Sequence, residues 1–328
     1  ELLAVRAADK TPVAKTNLSK EDIRKNNTGQ DLPFILNQTP SVIVNSDAGN
    51  GIGYTGIRIR GTDASRINVT INGIPYNDAE SQGTFFVDMP DIASSAGSIQ
   101  IQRGVGTSTN GAGSFGGSIN LGTNDLVTKS SLELNNSAGS FHSFKNTLIL
   151  NSGLLAKHFT VDARMSNIRS DGYIERAGSR LSSFFSSIAY SGNKNSLRLN
   201  IFTGKEKTYQ AWNGIDEQTL KTNRRYNAAG TEKPGEPYDN ETDNYTQTHY
   251  QLFYNHKFSS FFKANIALFL TRGRGYYEQY KSAESLGNYQ LPDYNDGTNI
   301  ITETDLVRRL WLDNYFYGSV FSLQYQKK

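Results

Sequence analysis

The sequence predicts a mixed α/β domain followed by antiparallel strands of a transmembrane β-barrel. Three observations carry that prediction. The texture of the 328-residue chain changes near residue 125, from short β-branched runs among glycines to long alternating segments rich in Tyr and Phe. About eight segments of ~10 residues then alternate apolar and polar side chains, the length that crosses a bilayer at a tilt. The connections between them are alternately short and long, as in outer-membrane barrels.

In chain order, Ser19-Lys-Glu-Asp22 has the spacing of a capping box, with Asp in place of the better Glu or Gln, and predicts a short helix through Lys25. Asp31 before Leu32-Pro-Phe-Ile-Leu36, with Pro33 in the first turn, predicts a second helical turn. Short strands are expected at 41–44, 56–60, 66–71 and 98–102, three of them alternating. Asn72-Gly73 is a tight-turn signal.

Beyond residue 130, His158 to Ser166 sets Phe159, Val161, Ala163 and Met165 on one face against Thr160, Asp162, Arg164 and Ser166 on the other. The segments 195–203, 248–258 and 261–271 repeat the pattern, and Tyr315 to Gln326 runs to the C-terminus. Short connections fall at 191–194 and 259–260, long ones at about 205–245 and 274–313. Alternation by itself is shared with a soluble antiparallel sandwich wetted on one face. Recurring loops of about 40 residues without helical periodicity are uncommon in compact domains. Tyr245, Tyr250, Tyr254, Phe258, Phe261, Tyr315, Tyr317 and Tyr325 stand at segment ends, as interfacial aromatic girdles do. Both points favour the barrel.

Composition excludes several classes. A net charge of +3 with 20% charged residues does not suit a nucleic-acid binder, which needs a large cationic excess. The absence of cysteine removes disulfide scaffolds, thiolate zinc sites and cysteine nucleophiles. His142, His158, His249 and His256 are too scattered for a metal cluster. No apolar run approaches the ~18 residues of a membrane helix, and no signal peptide is present, so the chain opening at Glu1 reads as processed. The mean hydropathy of −0.54 does not argue against a barrel, whose strands are polar at every second position.

Gly51-Ile-Gly-Tyr-Thr-Gly56 matches the dinucleotide fingerprint, but a strand rather than a helix follows it. Phosphate-loop, nucleophile-elbow and zincin motifs are absent, and acid pairs such as Asp88 and Asp91 are what any surface loop supplies. Nothing argues for an enzyme, a catalytic residue, a metal or a cofactor.

The informative stretch is Ile59-Arg-Gly-Thr-Asp-Ala-Ser-Arg-Ile-Asn-Val-Thr-Ile-Asn-Gly-Ile-Pro-Tyr-Asn77, then Ser98-Ile-Gln-Ile-Gln-Arg-Gly104 and the glycine-rich 109–121. It resembles the plug of TonB-dependent outer-membrane receptors, with Asn72 in place of the family's usual Asp and Phe115 in place of its Tyr. The details look most like receptors of the Bacteroidetes, nearer the siderophore and iron-complex receptors than the glycan-importing branch. The resemblance implies an N-terminal TonB-box and linker segment over 1–29, a plug over 30–125, and the first strands of the barrel over 126–328. It also implies a fragment of a barrel of roughly 22 strands, since a plug does not fit inside eight.

Carried onto this chain, the resemblance makes Glu1, Leu2, Leu3, Ala4 and Val5 the TonB box, an extended segment that pairs with an edge strand of TonB. Arg60 and Arg103 take the two plug positions that pair with barrel glutamates. Ligand contacts are expected from Tyr54, Tyr76, Asp78, Glu80, Gln82, Phe85 and Phe86 on the plug loops. Trp212, Arg224, Arg225 and Tyr226 join them from the first long loop, the adjacent arginines suited to an anionic ligand. The implied activity is import of a scarce solute across the outer membrane, driven through TonB and its inner-membrane energising complex, with plug and N-terminus facing the periplasm. A ferric siderophore or related metal complex is the first choice of ligand. Haem, cobalamin or a glycan by the same route, a passive porin-like or adhesin barrel, and a soluble β-rich binding protein are the other readings. Outer-membrane lipid is a partner, and a surface lipoprotein is compatible with the architecture.

Overall fold

The computed structural model describes residues 6–8, 10–106 and 115–325. Strand β1 (Lys15–Ser19) runs into the capping box, in which Asp22 N–H donates to Ser19 Oγ at 3.3 Å and Ser19 N–H donates back to Asp22 Oδ2 at 2.9 Å. The helix so started, α1 (Lys20–Asn26), buries Ile23. Helix α2 (Leu32–Leu36) carries Pro33 where the missing N–H has no partner to lose, and buries Leu32, Pro33, Ile35 and Leu36. Strands β2 (Val42–Ser46) and β3 (Thr55–Ile59) form an antiparallel hairpin, so the glycine run 51–56 is a hairpin loop and not a nucleotide cradle.

Strands β4 (Ile67–Ile71), β5 (Ile74–Pro75), β6 (Ser98–Arg103) and β7 (Gly117–Gly122) complete a mixed sheet in the order β1-β6-β7-β4-β5. Asn72 and Gly73, at φ 58° and 84°, turn β4 into β5 as the Asn-Gly signal predicts. Ile59, Ile67, Ile71, Ile99, Ile101, Ile119 and Leu121 make the centre of the core. Strand β7 had no alternation to announce it. It is buried along its whole length, and its polar Asn120 accepts a hydrogen bond from Thr70 Oγ1 at 2.8 Å.

The rest of the chain is one antiparallel sheet of eight strands in strict sequence order. They are β8 (Ser130–Gly139), β9 (Ser143–Ser152), β10 (Phe159–Ser170), β11 (Ser179–Ser191), β12 (Asn195–Tyr209), β13 (Thr242–Lys257), β14 (Phe262–Ser285) and β17 (Glu303–Tyr325). Helix α3 (Glu217–Thr222) lies in the β12–β13 connection, and the small hairpin β15 (Tyr294–Asn295) and β16 (Ile300–Ile301) in the β14–β17 connection. The expected segments are present, but the long loops are shorter than read. Strand β14 spans 24 residues and β17 spans 23, and the connections contract to 210–241 and 286–302. Above the apolar band both faces carry polar groups and tyrosines, so the alternation fades while the hydrogen-bonded ladder continues.

Burial decides between sandwich and barrel. Along β10 from Phe159 to Ser166 the large apolar residues are the exposed ones, Met165 at 56%, and the polar ones are hidden, Thr160 at 0% and Arg164 at 3%. A sheet with its apolar face outward and its polar face packed is built for hydrocarbon, not water. Register lays that outer face in rows such as Val161–Ile188–Leu199–Leu252–Leu268 and Phe159–Tyr190–Leu197–Tyr254–Ile266–Phe321. The aromatic girdle is therefore narrower than predicted. Tyr254 lies two residues from the row Asn195–His256–Ala264–Leu323 near the short turns, whereas Tyr250 and Tyr317 share a row with Ile201 and Leu270, inside the apolar band. Tyr245 points inward and is buried.

The N-terminal domain rests on the polar inner face. Phe185 and Phe202 of the wall join its core. Gly204 allows the closest approach: a Cβ there would stand 2.1 Å from the Asp88 carbonyl oxygen, a separation no side chain tolerates.

Candidate functional site

A cavity of ≈ 350 Å³ opens between the N-terminal domain and strands β13, β14 and β17, toward the end of the sheet that carries the long connections. Tyr54 enters it from the β2–β3 hairpin and donates its hydroxyl to Asp243 Oδ2. The hairpin is held by Tyr209, whose hydroxyl accepts from the N–H of Ala48 at 3.1 Å and of Tyr54 at 2.9 Å. Trp212, the first aromatic of the long loop, meets the Tyr54 ring edge-on at 5.5 Å and Tyr277 at 6.4 Å. Tyr76 donates to the Phe85 carbonyl at 2.9 Å and packs on His249 at 5.5 Å, which stacks on Phe202 at 4.5 Å. Asp78 fixes its own loop by accepting from Glu80 N–H at 3.1 Å and Ser81 N–H at 2.7 Å.

The cavity is lined by carboxyl groups. Asp78, Glu80, Asp88, Glu206 and Asp243 line it, and no Lys or Arg does so among the described residues. Burial, then the charge of Asp243, pushes the Asp88 carboxyl up to about 8. Burial likewise pushes the Tyr76 and Tyr54 hydroxyls well up, so both remain donors at neutral pH.

Five of the predicted ligand residues, Tyr54, Tyr76, Asp78, Glu80 and Phe85, line this one cavity. Gln82 sits on the same loop at φ 60°, but its amide donates to the Ala79 carbonyl at 2.9 Å. Phe86 is a correction. It is 2% exposed and belongs to the core of the N-terminal domain, because the chain turns into a short 3-10 segment, Phe86–Asp88, that points it inward. Arg224, Arg225 and Tyr226 do not line the cavity: Arg225 Nε donates to the Tyr173 carbonyl at 2.6 Å, and Tyr226 N–H to the Asn223 carbonyl at 3.2 Å. The residues that sequence reasoning missed, Asp88, Glu206, Asp243 and His249, lie on separate stretches of chain. Only the inward face of the wall strands marked three of them, and the sequence does not say which inward positions meet.

The electrostatic joint between domain and wall is a second site. Asp91, left-handed at φ 56°, heads the 3-10 turn Ile92–Ser95 and lies 2.6 Å from Lys145 Nζ and 3.5 Å from Arg164 Nη1. Thr147 and Ser166 each donate to its Oδ2 at 2.7 Å, and Ser94 to its Oδ1 at 2.6 Å. Burial would raise this carboxyl, but the Arg164 and Lys145 charges hold it at about 2. Asp88 and Asp91 are thus not surface-loop acids, as their spacing suggested; both are buried against the wall.

Arg60 and Arg103 stand elsewhere. Arg60 is exposed with its guanidinium over Gly104, and Arg103 Nη1 donates to the Pro40 carbonyl at 3.4 Å. Neither is within ion-pair distance of a glutamate of the described strands. Glu1 to Val5 lie outside the described residues, as does the first part of the glycine-rich run, 109–114. Among the described residues no cluster suits a metal ion.

The two aspartates give opposite pH dependences. Asp91, lowered to about 2 from 3.8, strengthens docking above pH ~4 and loses that contribution as pH falls toward 2. Asp88, raised from 3.8 to about 8, favours docking fully below pH ~4 and loses that contribution as pH rises to 8. Protease protection of the N-terminal domain is therefore expected to fall between about pH 4 and 8, and Asp88→Asn is expected to flatten that slope. An unchanged slope in the variant would remove Asp88 as its source.

Residues 7–118 match the TonB-dependent Receptor Plug Domain family. No curated protein matches the chain. Solved structures do, by fold. FpvA of P. aeruginosa, bound to heterologous pyoverdines, is 12% identical with a TM-score of 0.71 over 98% of this chain and 41% of its own. The ferric-catecholate import receptor Fiu of E. coli K12 is 17% identical with a TM-score of 0.68, over 97% and 47%. The siderophore receptor PiuA of Acinetobacter baumannii is 16% identical with a TM-score of 0.65, over 99% and 44%. The chain spans less than half the length of these structures. The N-terminal domain is thus a plug, and the sheet resembles part of a receptor barrel wall.

Proposed function

We propose that this chain forms the plug and part of the wall of an outer-membrane importer that takes up a scarce solute, an iron–siderophore or related metal complex, with energy relayed through TonB. The observation that carries the reading is the inside-out sheet with a plug docked on its polar face. A passive porin-like barrel has no use for a domain anchored there by a buried ion cluster. The long-loop end faces outward in this reading, and the plug and N-terminus face the periplasm. The solved structures of similar fold include FpvA with bound pyoverdine and a ferric-catecholate import receptor, which supports the ligand class. The plug motifs support kinship with receptors of the Bacteroidetes, outside the glycan-importing branch.

Ligand binds in the carboxyl-lined cavity, between Tyr54, Tyr76 and Phe85 of the plug and the loop residue Trp212. Aromatic faces with a few converging polar groups are what a bulky polar solute needs. Since no lysine or arginine lines the cavity among the described residues, it offers a polyanion no countercharge and favours a neutral or cationic complex. Arg224 and Arg225 belong to the loop above and serve at most as a first encounter surface.

The test is uptake by the parent cell of labelled ferric siderophores of different charge, haem and cobalamin, with and without the gene and with the proton gradient collapsed. Gradient-dependent loss of one substrate is the expected result. Loss that ignores the gradient would replace the importer by a passive barrel.

A further inference from the structure

The outer face of the sheet changes character above its apolar rows. Register sets Ser182, Lys205, Thr246 and Arg274 side by side, and one step higher Arg180, Lys207, Asn244 and Tyr276. These side chains point away from the plug, because their strand neighbours Gly204 and Gly275 direct their missing Cβ positions at Asp88 and Tyr245. Together they line a shallow groove of ≈ 650 Å³ on the outer wall, with Trp311 at its rim.

The groove carries an excess of positive charge. The acid on this face nearest Arg274 is Asp313, already bridged by Arg272 at 2.7 Å and shared with Arg274 at 3.7 Å. Lys207 Nζ donates to a neutral partner, Asn240 Oδ1, at 2.8 Å. Arg180 and Lys205 have no acid within ion-pair distance among the described residues, and Glu206 beside Lys205 points to the inner cavity. The row below holds Phe184, Thr203, Thr248 and Arg272, and the next one down holds Ile201, Tyr250 and Leu270 of the apolar band.

We propose that this groove binds the headgroup phosphate of an anionic membrane lipid in the leaflet around the long-loop end. The proposal rests on the membrane reading given above. Its geometry supplies what such a lipid needs. Acyl chains lie against the apolar rows, and the phosphate sits above the threonine row that borders them, among two guanidinium and two ammonium groups. Ser182, Thr246 and Asn244 stand in the same rows and add uncharged hydrogen-bonding groups. Guanidinium groups match phosphate oxygens in pairs, and Trp311 and Tyr276 sit at the level where amphipathic rings prefer the interface. A zwitterionic headgroup brings its own cation and gains much less.

The full-length receptor containing this chain, reconstituted in phosphatidylcholine vesicles doped with lipid A or with its dephosphorylated form, tests this by native mass spectrometry of the lipid retained. Lipid A is expected to be retained preferentially. Each of Arg180→Gln and Lys205→Gln is expected to lower retention about fivefold, from ~1 kcal/mol per surface cation. Both variants must keep the heat-resistant migration of a folded barrel, since neither residue touches the plug. Equal retention of the two lipids by a receptor that floats with the vesicles would overturn the groove alone. Displacement of the lipid by inorganic phosphate would also overturn it, by making the site one for a free anion. A receptor that fails to float would overturn the groove and the membrane reading together.

Discussion

Asp91→Asn is expected to loosen the plug from the wall by about 3–5 kcal/mol, the cost of breaking a buried ion pair from one side. The substitution removes the only acid within ion-pair reach of Lys145 and Arg164 among the described residues, and both cations are almost wholly buried. Asn27, Ser94, Ser95 and Ser183 supply neutral hydrogen bonds but no countercharge. Water must then enter the joint, or the plug must back away from it. The measurement is hydrogen exchange of the plug amides in the reconstituted receptor, where strand β6 reports on the plug as a unit. A second variant separates charge from packing. Asp91→Leu with Lys145→Met and Arg164→Met fills the same space without charge, and is expected to dock about as well as the parent. If Asp91→Asn leaves exchange unchanged, docking rests on Phe185, Phe202 and the other apolar contacts, and the ion cluster is incidental.

That joint also measures how much was legible in the sequence. The alternation at 158–166 identified Arg164 and Ser166 as sharing a face, and an inward polar face is where a docking joint belongs. The sequence does not reveal that Lys145, on the preceding strand, is brought to the same point by the β9–β10 register. Nor does it reveal that the partner is an aspartate in a turn. Local signals were dependable where their cause was local: the Ser19 cap, the Pro33 turn and the Asn72-Gly73 hairpin each depend on residues a few positions apart. Strand β7 and residue Phe86 were misread or missed because burial on both sides leaves no periodicity to read. The cavity was half legible. Its plug residues come from one contiguous loop and one hairpin, whereas its wall residues come from strands whose meeting is a property of register. Arg60 and Arg103 stand out by motif, but the motif names no partner, and among the described residues no glutamate is within ion-pair distance of either.

Deletion of Glu1 to Val5 is expected to abolish uptake while leaving ligand binding at the cell surface intact. The segment itself lies outside the described residues, but the chain immediately after it shows where a pull would arrive. Arg6 Nη1 donates to Ser98 Oγ at 2.9 Å and its Nη2 to the Asn120 carbonyl at 3.0 Å. Ala7 N–H donates to Gln100 Oε1 at 2.7 Å, and Gln100 Nε2 returns a bond to the Ala7 carbonyl at 3.0 Å. Residues 6 and 7 are thus fastened to β6 and β7, the middle of the plug sheet, before the chain reaches its edge strand β1. Force applied at the N-terminus first loads these few hydrogen bonds, and through them the strands that carry the core isoleucines Ile99, Ile101 and Ile119. Each bond has a modest net worth of roughly 1 kcal/mol, so they break in succession, and only then does tension reach β1 and the joint at Asp91. Gln100→Ala, which removes the Ala7 clasp but keeps the apolar core, is expected to leave ligand binding unchanged and to alter uptake far less than the deletion. Transport by the deletion variant equal to that of the parent would sink the TonB-box assignment. Loss of surface binding along with transport would instead mean that the segment supports the fold of the plug.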